Sequence, residues 1–159
     1  MTLAIRSVTP EDAATLLHFI KELAIYEREP DAVVATEDDI IAHLFGPQPR
    51  VFAVIIERDQ QPIGFALYFY NFSTWLGAPG LFLEDLFVLP EHRGLGAGKA
   101  LLQHLAQIAV ANRCGRFEWN VLRWNQPAID FYESFGARPQ SEWVGYRLEG
   151  AALAAFAEA

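Results

Sequence analysis

The chain has 159 residues, of which 52% are hydrophobic and 20% charged, enough to bury one continuous core and matched to a single domain spanning 1–159. A net charge of −8 argues against nucleic-acid partners, which need clustered Lys and Arg, and favours the approach of a cationic small molecule. No apolar run approaches a membrane span, the N-terminus lacks a signal-peptide layout, and the lone Cys114 rules out an internal disulfide, so the expected setting is the cytoplasm.

In chain order, Leu3 to Val8 alternates as a first strand, and Thr9-Pro10-Glu11-Asp12 then opens a helix to about Glu27 with a stripe of Leu16, Phe19, Ile20 and Leu23. Thr36-Glu37-Asp38-Asp39 starts a shorter helix that ends near Leu44, before Gly46-Pro47. Val51–Glu57 and Ile63–Tyr70 read as the arms of an antiparallel hairpin. After a turn at residues 75–80, Leu81–Val88 is a long apolar strand interrupted by Glu84 and Asp85. A glycine turn follows, then a helix to about Asn112 with Leu101, Leu102, Leu105, Ile108 and Ala109 on one face. Phe117–Leu122 is the next strand, Gln126–Phe135 a short helix, Trp143–Leu148 a last strand, and the Ala-rich tail from Gly150 a terminal helix. The fold class is α/β, a mixed central sheet flanked by helices.

The turn Arg93-Gly94-Leu95-Gly96-Ala97-Gly98 lies between a buried strand and an amphipathic helix, where glycines allow successive backbone N–H groups to converge on one anion. The helix dipole adds positive potential, and Arg93 and Lys99 add cationic side chains. A Walker loop would need Gly at 93 and a hydroxyl at 100, where the chain has Arg93 and Ala100. A dinucleotide fingerprint would need a third glycine at 99 or 101, which are Lys99 and Leu101. A plain tight connection from strand to helix is the remaining alternative.

Arg-x-x-Gly-x-Gly after Glu-Asp-Leu-Phe-Val resembles the coenzyme A pyrophosphate loop of the GNAT superfamily of N-acetyltransferases. The resemblance implies a GNAT-type sheet, acetyl-CoA as acyl donor, and a bulge that exposes backbone groups at Leu86, Phe87 and Val88 to the pantetheine arm. A second segment, Asn125-Gln126-Pro127-Ala128-Ile129-Asp130-Phe131-Tyr132, resembles the superfamily's Asn-x-x-Ala-x-x-Phe-Tyr. It implies that Asn125 and Ala128 meet the cofactor and that the Tyr132 phenol, protonated at neutral pH, donates to the departing thiolate.

Transfer to an amine also needs a proton acceptor. Glu84, a carboxylate in an otherwise apolar strand beside the turn, is the candidate base, acting through water, with a structural ion pair as the alternative. Strand alternation puts Glu84 and Asp85 on opposite faces, Asp85 serving an interface or the substrate side.

Lys21-Glu22-Leu23-Ala24-Ile25-Tyr26-Glu27, Phe72-Ser73-Thr74-Trp75, Leu83-Glu84-Asp85 and Trp124-Asn125-Gln126 further resemble the diamine acetyltransferases, including the spermidine/spermine and thialysine enzymes. This implies that Tyr26, Glu27, Glu84 and Trp75 face the amine, that Glu118 to Asn120 line the same channel, and that the enzyme is a homodimer. Ser73 and Val144 stand where polyamine-specific members carry acids, which favours a small primary amine or amino acid over spermine. A non-catalytic acyl-CoA-binding module and a protein N-acetyltransferase are the competing functions. Cys114 has no neighbouring histidine to support an acyl-cysteine, and the four histidines show no metal-ligand spacing, so no metal is expected.

Overall fold

A computed structural model describes all residues, 1–159. The chain divides into two compact units, Met1–Asn120 and Val121–Ala159.

The first unit contains β1 (Leu3–Ser7), a 3-10 turn at Pro10–Asp12, α1 (Ala13–Tyr26), α2 (Glu37–Phe45), β2 (Phe52–Arg58), β3 (Gln61–Ser73), β4 (Ala78–Val88), α3 (Ala97–Ala111) and β5 (Arg116–Trp119). The sheet order is β1-β2-β3-β4-β5. The first four strands are antiparallel, and β5 joins β4 in parallel after the α3 crossover.

Local chemistry explains the boundaries. The Thr9 amide donates to the Asp12 carboxylate at 2.8 Å, and Arg6 clamps the same carboxylate, so the start of α1 is tied to β1. The Asp39 amide donates to the Thr36 hydroxyl, capping α2. The β2–β3 hairpin closes through Asp59 and Gln60, both at positive φ as a two-residue hairpin loop requires.

The two faces of the sheet carry different helices. Ala53, Ile55, Phe65 and Phe87 pack with Leu16, Phe19 and Leu23 of α1 and Ile40 and Leu44 of α2 in one core. The Phe19 ring lies 6.0 Å from that of Phe65 and 6.0 Å from that of Phe87. Strand alternation turns the equally buried Val54, Ile56, Ala66 and Val88 to the other face, against which α3 sets Leu101, Leu102, Leu105 and Ala109.

The second unit holds α4 (Gln126–Ser134) and α5 (Gly150–Glu158). Two strand expectations are corrected here. β5 stops at Trp119 rather than Leu122, and Trp143–Leu148 forms no strand. Residues 143–148 are rich in apolar and aromatic side chains, but a strand exists only through ladder hydrogen bonds, and the sheet ends at β5. No helix is long and apolar enough to cross a membrane.

Candidate active site

The site of the first unit is built where β4 outruns β5. Residues Gly80 to Leu83 pair with Arg116 to Trp119, and there the parallel ladder ends. β4 continues to Val88 with only β3 as a neighbour, in regular register: Ala66 opposite Leu86, Phe65 opposite Phe87, Gly64 opposite Val88. Beyond Leu83 its other edge has no strand neighbour, the kind of edge to which an extended amide-bearing arm adds, and at its far end the Val88 carbonyl is taken by Arg93.

The irregularity expected at Leu86–Val88 lies upstream. Leu67 pairs with Asp85 and its successor Tyr68 pairs with Leu83, so Glu84 is the extra residue of a β-bulge. The bulge also breaks the simple alternation along β4. Leu83 pairs on the α3 side, whereas Asp85 shares the parity of Phe87 and faces the end of α1. Glu84 is exposed at the bulge and Asp85 is half-buried.

Glu27, just after α1, completes a carboxylate cluster. Burial, then Glu84 and Glu27, pushes the Asp85 carboxyl up to about 6. Glu27 is also raised, by burial first and by Glu84 second. A group ionising near neutrality and meeting two other acids is suited to hold a cation or to take a proton.

At the end of β4 the chain passes through a short turn, Pro90–His92, into the glycine turn. Gly94 and Gly96 have φ of 81° and 83°, and a Cβ at either would meet nothing within 4 Å. The glycines are needed for backbone conformation, and they leave open space above the turn. Gly96 is the N-cap of α3, and the first intrahelical bond runs from Ala100 N to Gly96 O. The amides of Ala97, Gly98 and Lys99 therefore have no partner within the helix and converge on the open turn. Leu95 is half-buried and Lys99 exposed, and a Cβ added at Gly98 would come within 4.0 Å of the Leu86 side chain. This open, amide-lined cradle fits a pyrophosphate.

Arg93 does not extend from the turn as a loose cation. Its Nε donates to the Val88 carbonyl at 2.9 Å, and its guanidinium lies 5.1 Å from the Tyr26 ring centroid and 5.6 Å from that of Phe87. Sequence reasoning missed this arrangement, because nothing in the order of residues links Tyr26 to Arg93.

Other expected residues lie further off along the strand. Trp75 is 79% exposed in the β3–β4 turn, 5.9 Å from the Arg116 guanidinium. Arg116 pairs with Gly80, five positions before Asp85, on the order of 17 Å along an extended strand. Glu118 is half-buried on β5 opposite Phe82, and Asn120 is exposed just past the strand.

In the second unit Asn125 caps α4, its side chain accepting from the Ala128 amide at 3.4 Å, with Pro127 in the first turn. Tyr132 follows seven positions later on the same helical face, ringed by Phe131 and Phe135 at 5.8 and 6.4 Å.

Comparison with known proteins shows the family. The acetyltransferase (GNAT) family model matches residues 15–137. The chain belongs to this family. It is 35% identical over 160 residues to the thialysine N-epsilon-acetyltransferase of Sus scrofa, covering 94% of each. It is 36% identical to a human spermidine/spermine N(1)-acetyltransferase-like protein, covering 91% of this chain and 22% of that one. Among solved structures, an integron cassette protein from the mobile metagenome of V. cholerae superposes with a TM-score of 0.83 at 30% identity, over 100% of this chain and 99% of the other. As a GNAT protein with acetyltransferases as full-length relatives, the chain is an N-acetyltransferase.

Proposed function

We propose that the protein transfers the acetyl group of acetyl-CoA to a primary amine of a small cationic molecule, a short diamine or a lysine-like amino acid, by direct attack in a ternary complex. The observation that carries this reading is that one strand bears both halves of the chemistry in the first unit: the Glu84 bulge with Asp85, and, at its end, the open glycine turn.

Bound acetyl-CoA would supply an activated thioester. The turn's amides from Ala97 to Lys99 hold the pyrophosphate, and the edge of β4 from Leu86 to the Val88 amide takes the pantetheine amides. Glu27, Glu84 and Asp85 draw in the cationic substrate, supported by the net charge of −8. Glu84 then accepts, through water, the proton the amine must lose, and the neighbouring Asp85 carboxyl shares that proton. Tyr132 donates its phenolic proton to the departing thiolate, and Asn125 and Ala128 position the cofactor arm.

The names of the relatives support a terminal side-chain amine as acceptor. Ser73 and Val144, in place of acids, favour a substrate shorter than spermine. The same reading takes 1–159 as one catalytic domain acting in the cytoplasm as a homodimer, and the exposed Trp143, Val144 and Tyr146 support assembly with a second copy. Thiol release from acetyl-CoA, assayed against thialysine, lysine, ornithine, short diamines and spermidine, tests it. Stimulation by at least one short amine is expected, with kcat/KM highest for the shorter acceptors; no stimulation by any amine refutes it.

A further inference from the structure

Arg93 heads the glycine turn, yet its guanidinium is turned back onto the strand it follows. One side chain thereby touches the end of β4, through the Val88 carbonyl and the Phe87 ring, and the last residue of α1, through the Tyr26 ring. The C-terminal end of a helix carries partial negative charge, which favours a cation there. The next residue after Tyr26 is Glu27, a member of the carboxylate cluster with Glu84 and Asp85.

We propose that Arg93 is a positioning residue that couples the turn to the end of α1, so that filling the turn raises the affinity of the carboxylate cluster for the amine. The inference rests on the reading that the turn holds the cofactor pyrophosphate and the cluster holds the amine. Gly94 and Gly96 give the turn wide conformational freedom, with open space around both. A pyrophosphate gathering the amides at the start of α3 removes that freedom. Arg93 is then fixed at its backbone, and its hydrogen bond to Val88 and its place over Tyr26 carry the ordering to Glu27. An amine arriving second meets an α1 terminus already ordered, which produces positive cooperativity without a large movement.

Titration calorimetry with coenzyme A, and with thialysine and 1,3-diaminopropane as amine probes, tests the coupling. In the wild-type protein the amine Kd is expected to fall about fivefold or more when coenzyme A is saturating, and the coenzyme A Kd to fall by the same factor when the amine is saturating. In Arg93→Met, which keeps an apolar stem but no guanidinium, this ratio should collapse to about 1, while the coenzyme A Kd without amine changes less than about threefold, well under one tenfold step. A ratio preserved in Arg93→Met overturns the proposal. So does a loss of coenzyme A affinity of tenfold or more without amine, which would make Arg93 a direct phosphate ligand.

If Arg93→Met does not fold, Tyr26→Leu at the 40% exposed helix end carries the same test. Loss of a direct amine contact at Tyr26 would weaken amine binding equally with and without coenzyme A, leaving the ratio intact and overturning the coupling; a ratio near 1 supports it. Wild-type protein that binds both ligands with a ratio of 1 overturns the coupling alone. Wild-type protein that binds no coenzyme A overturns the functional reading with it.

Discussion

Asp85 on β4 lies within electrostatic reach of Glu27 at the end of α1, although the whole of α2, β2 and β3 separates them in sequence. The bulge at Glu84 makes the meeting possible. Were β4 regular through Glu84, Asp85 would share the α3 side with Leu83, and the cluster would lose its most buried member.

Stability should therefore depend on the ionisation of Asp85. Its folded-state value of about 6 lies above the ordinary 3.8, so between those values the folded chain binds more protons than the unfolded one. Its stabilising contribution is complete below about pH 4 and is lost as pH rises through about 6. Asp85→Asn should be more stable than the wild type by about 2–3 kcal/mol at pH 8, with the difference vanishing near pH 3.5. Urea unfolding at the two pH values measures this; a gain equal at both would remove ionisation as its cause.

If Glu84 is the proposed base, Glu84→Gln should lower kcat about 100-fold while the coenzyme A Kd stays within twofold, because a base accepts a proton and does not hold the cofactor. Steady-state kinetics with calorimetry separates the two. An unchanged kcat would move the base elsewhere, and Asp85 is then the next carboxylate to test.

Tyr132→Phe removes one oxygen and keeps the ring contacts with Phe131 and Phe135. Turnover should fall about 100-fold at neutral pH with cofactor affinity preserved, as expected for a general acid. Equal turnover would leave Tyr132 as a packing residue of α4.

Gly96→Ala tests the turn without crowding it, since a Cβ there meets nothing within 4 Å. The cost is conformational, about 1–2 kcal/mol for a side chain in the left-handed region, and the turn should relax away from its present φ of 83°. The coenzyme A Kd should rise about tenfold or more, in line with that cost. A thermal melt and a calorimetric titration on the same variant give both numbers, and an unaltered Kd would disconnect the turn from the cofactor.

The glycine turn Arg93-Gly94-Leu95-Gly96 and the helix capped by Asn125 were legible from the order of residues alone, because a glycine turn and a capped helix are local objects whose backbone geometry is set by neighbours in sequence. The helix stripes of α1 and α3 were legible for the same reason: a period of 3.6 marks the buried face before the partner is known. The tertiary structure decided what depends on registration between distant segments. It placed the bulge at Glu84 rather than at Leu86–Val88, because a bulge is defined only against the opposing strand. It ended β5 at Trp119 and left residues 143–148 outside the sheet, because a strand needs hydrogen-bonding partners that a segment's own residues cannot supply. And it brought Tyr26 to Arg93 and Glu27 to Asp85, two meetings governed by how α1 lies on the sheet, a matter of packing that no local pattern encodes.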